Sequence, residues 1–214
     1  MALSARQQQK NPENKKKRRK LFKKHGGAGL GAQGAAASYV KCPIHECLVP
    51  DGLFETGLGT IIVARRAPGG DIAVSAFVVD VFCLGVKNAL FSVASEGVYE
   101  NTIKARIVGS HEGQRFENTH PSCARKIIEG ASDYARTLGF SPHPSYRGAK
   151  AIFGDVNAGA CPVAYTFGQE GMPLYIRGPH ESLSQARKIV DQLDKRCGEG
   201  KFHYLVPLDD ELSD

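Results

Sequence analysis

Apolar residues along this chain follow two spacings, one of strands and one of helices. From Gly59 to Leu84, "GTIIVARRAPGGDIAVSAFVVDVFCL", two β-branched runs flank "APGG". The pattern predicts a long β-hairpin, because proline and glycine supply the fixed and positive φ angles that a turn needs. With Ala67 to Gly70 as the loop, Arg66 faces Asp71, Ile62 faces Ser75 and Gly57 lies opposite Asp80. The second strand is almost continuously apolar, which predicts a place inside a sheet covered on both faces. "TIKARIVG", residues 102–109, reads as a further strand, "VAYTFGQEGMPLYIRG", residues 163–178, as a second hairpin around "GQEG", and "KFHYLVP" as a last strand joining the sheet.

Two segments change to helical spacing. In "THPSCARKIIEGASDYARTLGF", Ala124, Ile127, Ile128, Ala131, Tyr134, Ala135 and Leu138 form one stripe, with Pro121 in the first turn and Gly139 past the end. A helix over 121–138 follows. "PHESLSQARKIVDQLDKRCG" repeats the logic, with Leu183, Ala186, Ile189, Val190 and Leu193 on one face and Gly198 as the stop. The expected fold class is therefore α+β: a mainly antiparallel sheet built from two hairpins, with two amphipathic helices packed on it.

Charge divides the chain further. Residues 1–25 carry ten Lys and Arg against the single acid Glu13, a net +9. The whole chain is +6, so residues 26–214 come to −3, and four of their acids lie in the closing "DDELSD". The basic excess thus belongs to "KKKRRKLFKK", whose like charges repel and which offers only Leu21 and Phe22 for burial. This predicts a disordered arm and Gly/Ala-rich tether over 1–37, one α+β domain over 38–207, and an acidic flexible tail over 208–214. The expected partner of Lys15, Lys16, Lys17, Arg18, Arg19, Lys20, Lys23 and Lys24 is nucleic acid, with RNA favoured over DNA. No apolar run reaches membrane-spanning length and "MALSARQQQK" lacks a signal-peptide core, which predicts an intracellular protein, cytoplasmic or nuclear, with no membrane partner. In that compartment the six cysteines are expected to be reduced thiols.

Three groups of residues are candidate chemistry. Cys42, His45 and Cys47 in "CPIHEC", with His120 and Cys123, have the soft donors of a tetrahedral zinc site, so zinc is the candidate cofactor. Asp80 in "FVVDVFCLG" sits in an apolar row, and a carboxylate there is either bonded to backbone amides, Lys87 or Arg65, or used as a catalytic or metal-binding group with Glu46, Glu55 or Asp155. His143, in a proline-framed loop, is a candidate acid or base. The segment "PLYIRGPHESLSQARKIVDQL" resembles the closing strand and helix of KH-type RNA-binding domains. The resemblance implies an RNA-facing α+β module; "FGDVNAGA" departs from that family, being acidic and without its G-x-x-G clamp.

These observations point to a non-enzymatic nucleic-acid-associated protein whose arm binds a polyanion while the body engages a protein or a more specific feature. The alternatives are a hydrolase or metal-dependent nuclease acting near Asp80, and a protein-interaction module whose arm only targets or solubilises it.

Overall fold

The structure, a computed structural model, describes residues 35–206 apart from 112, 179 and 180. The expected basic arm and acidic tail lie outside those residues, apart from the end of the tether. Five strands form an antiparallel sheet: β1 (Ile44–Pro50), β2 (Leu58–Arg66), β3 (Ile72–Asp80), β4 (Gly85–Ala94) and β5 (Phe116–Asn118), in the order β4-β3-β2-β1-β5. A one-turn helix, α1 (Leu53–Thr56), links β1 to β2. The α+β class expected from the two spacings is the observed one.

The hairpin β2–β3 forms, with its register moved by one residue from the expected pairing. Arg66 faces Ile72, Ile62 faces Ala76 and Leu58 faces Asp80. The cause is the loop, which takes in Asp71: the Ala67 amide donates to the Asp71 carbonyl at 2.8 Å, and Gly69 and Gly70 turn the chain at φ +97° and +93°. A one-residue shift exchanges which side chains share a face. The result is two apolar surfaces: Ile61, Val63, Ala73, Phe77 and Val79 on one side, and Ile62, Ala64, Ile72 and Val74 on the other. Both are covered, as the unbroken apolar run of β3 predicts. The strand ends at Asp80, however, and β4 begins at Gly85 after a four-residue turn, so the second hairpin of the sheet is β3–β4.

The first surface lies under α4 (Pro121–Thr137), where Ala124, Ile127, Ile128 and Ala131 are buried, and under α5 (Tyr146–Lys150). His120 caps α4, its Nδ1 accepting the Ser122 amide at 3.3 Å. The second surface is covered by a helical run that corrects the strand expected over 102–109. This run comprises α2 (Glu96–Val98), a π-wound segment Tyr99–Lys104 and α3 (Ala105–Gly109). Tyr99, Ile103 and Ile107 face Leu48, Ile62 and Ile72, an apolar stripe at intervals of four that the helical winding turns to one side.

The second expected hairpin reduces to one bridge, Gln169 to Met172. Its first arm is anchored by rings instead: Tyr165 stacks on Phe54 at 5.3 Å and Phe167 on Tyr134 at 6.2 Å. Past it, β6 (Leu174–Ile176) pairs in parallel with β7 (His203–Leu205), so the last strand forms a small separate sheet. Between them α6 (Leu183–Cys197) opens on a capping box, with Ser182 and Gln185 each accepting the other's backbone amide, and it buries Ala186 and Leu193 against Cys83, Leu138 and Tyr175. Among the described residues no helix is long and apolar enough to cross a membrane.

Candidate functional site

Among the described residues a connected polar constellation is assembled where β1 meets the π-wound segment. A bulge between Ile44 and Glu46 inserts His45 as an extra residue, so His45 and Glu46 turn to the same face and Cys47 to the opposite one. Tyr99, fully buried, donates its hydroxyl to Glu46 Oε1 at 2.5 Å. Lys104 Nζ reaches Glu46 at 3.0 Å and Glu100 at 3.2 Å. Arg66, held by Glu96, donates to His45 Nδ1 at 3.3 Å. With Nδ1 accepting, the ring proton sits on Nε2, which points towards Glu100 at 3.8 Å. Burial, and then the bond to Glu46, push the Tyr99 phenol well above its ordinary range. Burial works against the Lys104 ammonium, yet Glu46 and Glu100 hold its pKa above the usual lysine value.

His45, Glu46 and Glu100 are the only group of three among the described residues whose possible metal-ligand atoms lie within 4.8 Å of one another. Their donor set is compatible with a divalent cation, but Lys104 already bridges both carboxylates and supplies the positive charge. A metal would have to displace it. The arrangement therefore closes on itself, fastening the helical run to the sheet.

The expected zinc ligands are not brought together. Cys47 is buried among apolar side chains, its thiol pushed up to about 12 by burial. Cys42 is half-buried, and its carbonyl accepts from Arg65 at 2.5 Å. His120 caps α4, and Cys123 is disulfide-bonded to Cys161, which corrects the expectation that all six cysteines are reduced. A disulfide-bonded sulfur is not a thiolate donor.

Asp80 is buried and performs backbone work. Its Oδ1 accepts the amides of Phe82 at 3.0 Å and Cys83 at 2.8 Å, closing the turn between β3 and β4. Burial pushes its carboxyl above the usual range, opposed by the Cys83 amide and the charge of Lys87. The open space expected beside it is filled, since a Cβ on Gly57 would lie 2.1 Å from the Phe82 ring. Of the proposed co-ligands, Glu46 belongs to the Tyr99–Lys104 network, while Glu55 and Asp155 are exposed. Arg65 is no partner of Asp80 either: its guanidinium is buried and donates to the carbonyls of Cys42, Ile152 and Phe153.

His143 is exposed, and its loop is fastened to the edge strand. The His143 amide donates to the Val86 carbonyl at 2.9 Å, its Nδ1 lies 2.6 Å from Ser145 Oγ, and that hydroxyl donates to the Ala89 carbonyl at 2.6 Å. Asp80, His143 and the Cys42–His45–Cys47 segment share no cluster of ligand atoms. The arm residues Lys15 to Lys24 lie outside the described residues.

Glu100, Lys104 and Tyr99 were not anticipated as partners of His45 and Glu46. The usable signal was the spacing of four in Glu100–Lys104 and Tyr99–Ile103–Ile107, with Asn101 and Ala105 breaking the alternation of a strand between the apolar positions. Comparison with protein-family models, with curated proteins and with solved structures returns no match. The strand and helix that resemble a KH closure do form, as β6 and α6, but β6 pairs outside the main sheet.

Proposed function

We propose that this chain is a non-enzymatic binding protein that associates with nucleic acid, RNA in the first place, through Lys15, Lys16, Lys17, Arg18, Arg19, Lys20, Lys23 and Lys24, while its body engages a protein partner. The observation that carries this reading is the partition of charge: +9 in residues 1–25 against −3 in the remainder. Lysines acting as point charges bind phosphates without reading bases, so the arm contributes attraction and little sequence preference. The structural employment of the candidate catalytic and zinc-binding groups supports the same reading: Asp80 closes a turn, His143 is bonded beside Ser145, and Cys123 is in a disulfide. The proposed compartment is the cytoplasm or nucleus, where such polyanions are available, and the Cys123–Cys161 disulfide is the observation that runs against it, since a reducing compartment keeps thiols reduced.

Fluorescence anisotropy with a labelled single-stranded RNA and a DNA duplex, titrated between low and moderate salt, tests this proposal. An arm that neutralises about six phosphates gives a log–log salt slope of roughly −4 to −5. Removing residues 1–25 abolishes that salt-sensitive binding. Undiminished affinity after the deletion would refute the arm as the binding element, and no binding by either protein would leave it a targeting or solubilising tail.

A further inference from the structure

A groove of about 510 Å3 opens beside the start of β4. Leu84, Val86, Phe140 and Ile189 line it with apolar surface, and Lys87 and His143 supply its cationic or ionisable groups. Leu84, Phe140 and Ile189 also pack on the cluster of Cys83, Leu138, Tyr175, Ala186 and Leu193, and so does Val206, the last described residue. A second path reaches the same place. The Arg177 amide donates to the Leu205 carbonyl at 2.9 Å, and a Cβ on the adjacent Gly178 would lie 3.7 Å from Nζ of Lys87. The chain therefore leaves the described residues next to the groove.

We infer that this groove is a docking site for the chain's own C-terminal segment, residues 207–214, "PLDDELSD", with Leu208 and Leu212 on the apolar wall and Asp209, Asp210 and Glu211 towards Lys87 and His143. Eight residues extended at about 3.3 Å each reach roughly 26 Å, and the first leucine follows Val206 by two positions. The segment's charged side chains are all acidic. Lys87 already pairs with Glu181 at 2.7 Å, but an ammonium has three donors and can take a second carboxylate. Tethering beside the groove raises the segment's effective concentration into the millimolar range, so contacts that hold a separate peptide with a dissociation constant of roughly 0.1 mM keep the tethered segment docked. This gives the segment an advantage over a second copy of the chain.

The test compares the full-length protein with full-length Leu208→Asp/Leu212→Asp, whose substitutions lie outside the described fold. In 1H–15N spectra the amides of Val86, Lys87 and His143 shift between the two proteins, with little change elsewhere. A fluorescein-labelled peptide of residues 207–214 binds the variant at least about tenfold more tightly than the parent, whose groove is filled. Equal binding to both proteins, or binding to neither, overturns the inference. So does a concentration-dependent dimer that the double substitution abolishes, since the groove would then be filled by a second copy.

Discussion

Replacing Asp80 by Ala leaves two buried amides, those of Phe82 and Cys83, without an acceptor in the turn that joins β3 to β4. Each buried donor left unsatisfied costs about 1–3 kcal/mol. Removing the carboxylate also removes its own desolvation cost, so the loss falls near the lower half of the summed range, about 3 kcal/mol. For a chain of this size that lowers Tm by roughly 6–12 °C. Asp80→Asn keeps the Oδ1 acceptor and trades the weaker neutral bond against relief of burying a charge; its stability stays within about 1 kcal/mol of the parent. The two variants also separate in pH. Burial raises the folded carboxyl pKa above the unfolded value, against the pull of the Cys83 amide and Lys87. Between those values the folded protein holds more protons, so this group's stabilising contribution is full below the unfolded pKa and declines as pH rises through the folded one. Asp80→Asn removes that decline. Urea unfolding from mildly acidic to neutral pH measures both effects. An unchanged midpoint for the Ala variant refutes the turn-closing role, and an Asn variant of full stability that loses binding would make Asp80 a functional group.

Two other groups make comparable claims on stability. The Cys123–Cys161 bond closes a separation of 38 residues, and loop-closure entropy predicts that Cys123→Ser/Cys161→Ser loses about 4 kcal/mol; urea midpoints with and without dithiothreitol should differ for the parent and coincide for the variant. Arg65→Met strands three carbonyl acceptors, of Cys42, Ile152 and Phe153, and should cost about 3 kcal/mol in equilibrium unfolding, with hydrogen exchange accelerating first around residues 150–154.

What the sequence discloses depends on how local the determinant is. The helix over Pro121–Thr137 has its cap, its first-turn proline, its apolar stripe and its stop within one segment, and it appears where expected. The hairpin's existence is equally local, but its register turns on whether Asp71 belongs to the loop, a matter of one backbone bond between Ala67 and Asp71. The helical run over 96–109 is hidden by "TIKARIV", whose β-branched residues favour strands until Tyr99 and Ile103 find the sheet face that buries them. The strand β4 is hidden by its own irregularity, a register shift at Val78/Val79 and the polar pair Lys87–Asn88. Of the candidate zinc set, the bulge at His45 separates that ring from Cys47, and no local pattern in the sequence announces it.

Several buried or half-buried ionic groups of the body are paired with one another. Glu46 and Glu100 take Lys104; Glu129 takes Arg125 at 2.9 Å and Lys150 at 2.8 Å; Glu181 takes Lys87 at 2.7 Å. Charges paired at such distances project little field beyond about a Debye length, roughly 8–10 Å near physiological salt. On the proposed reading, long-range steering comes from the arm, whose net +9 stands against −3 in the remainder. Contacts made by the body are expected on that reading to be short-range: apolar burial and hydrogen bonds, which salt weakens little. On the proposed reading the two contributions are separable by ionic strength: the arm's binding is expected to fade steeply as salt rises, and a partner held by the body to persist.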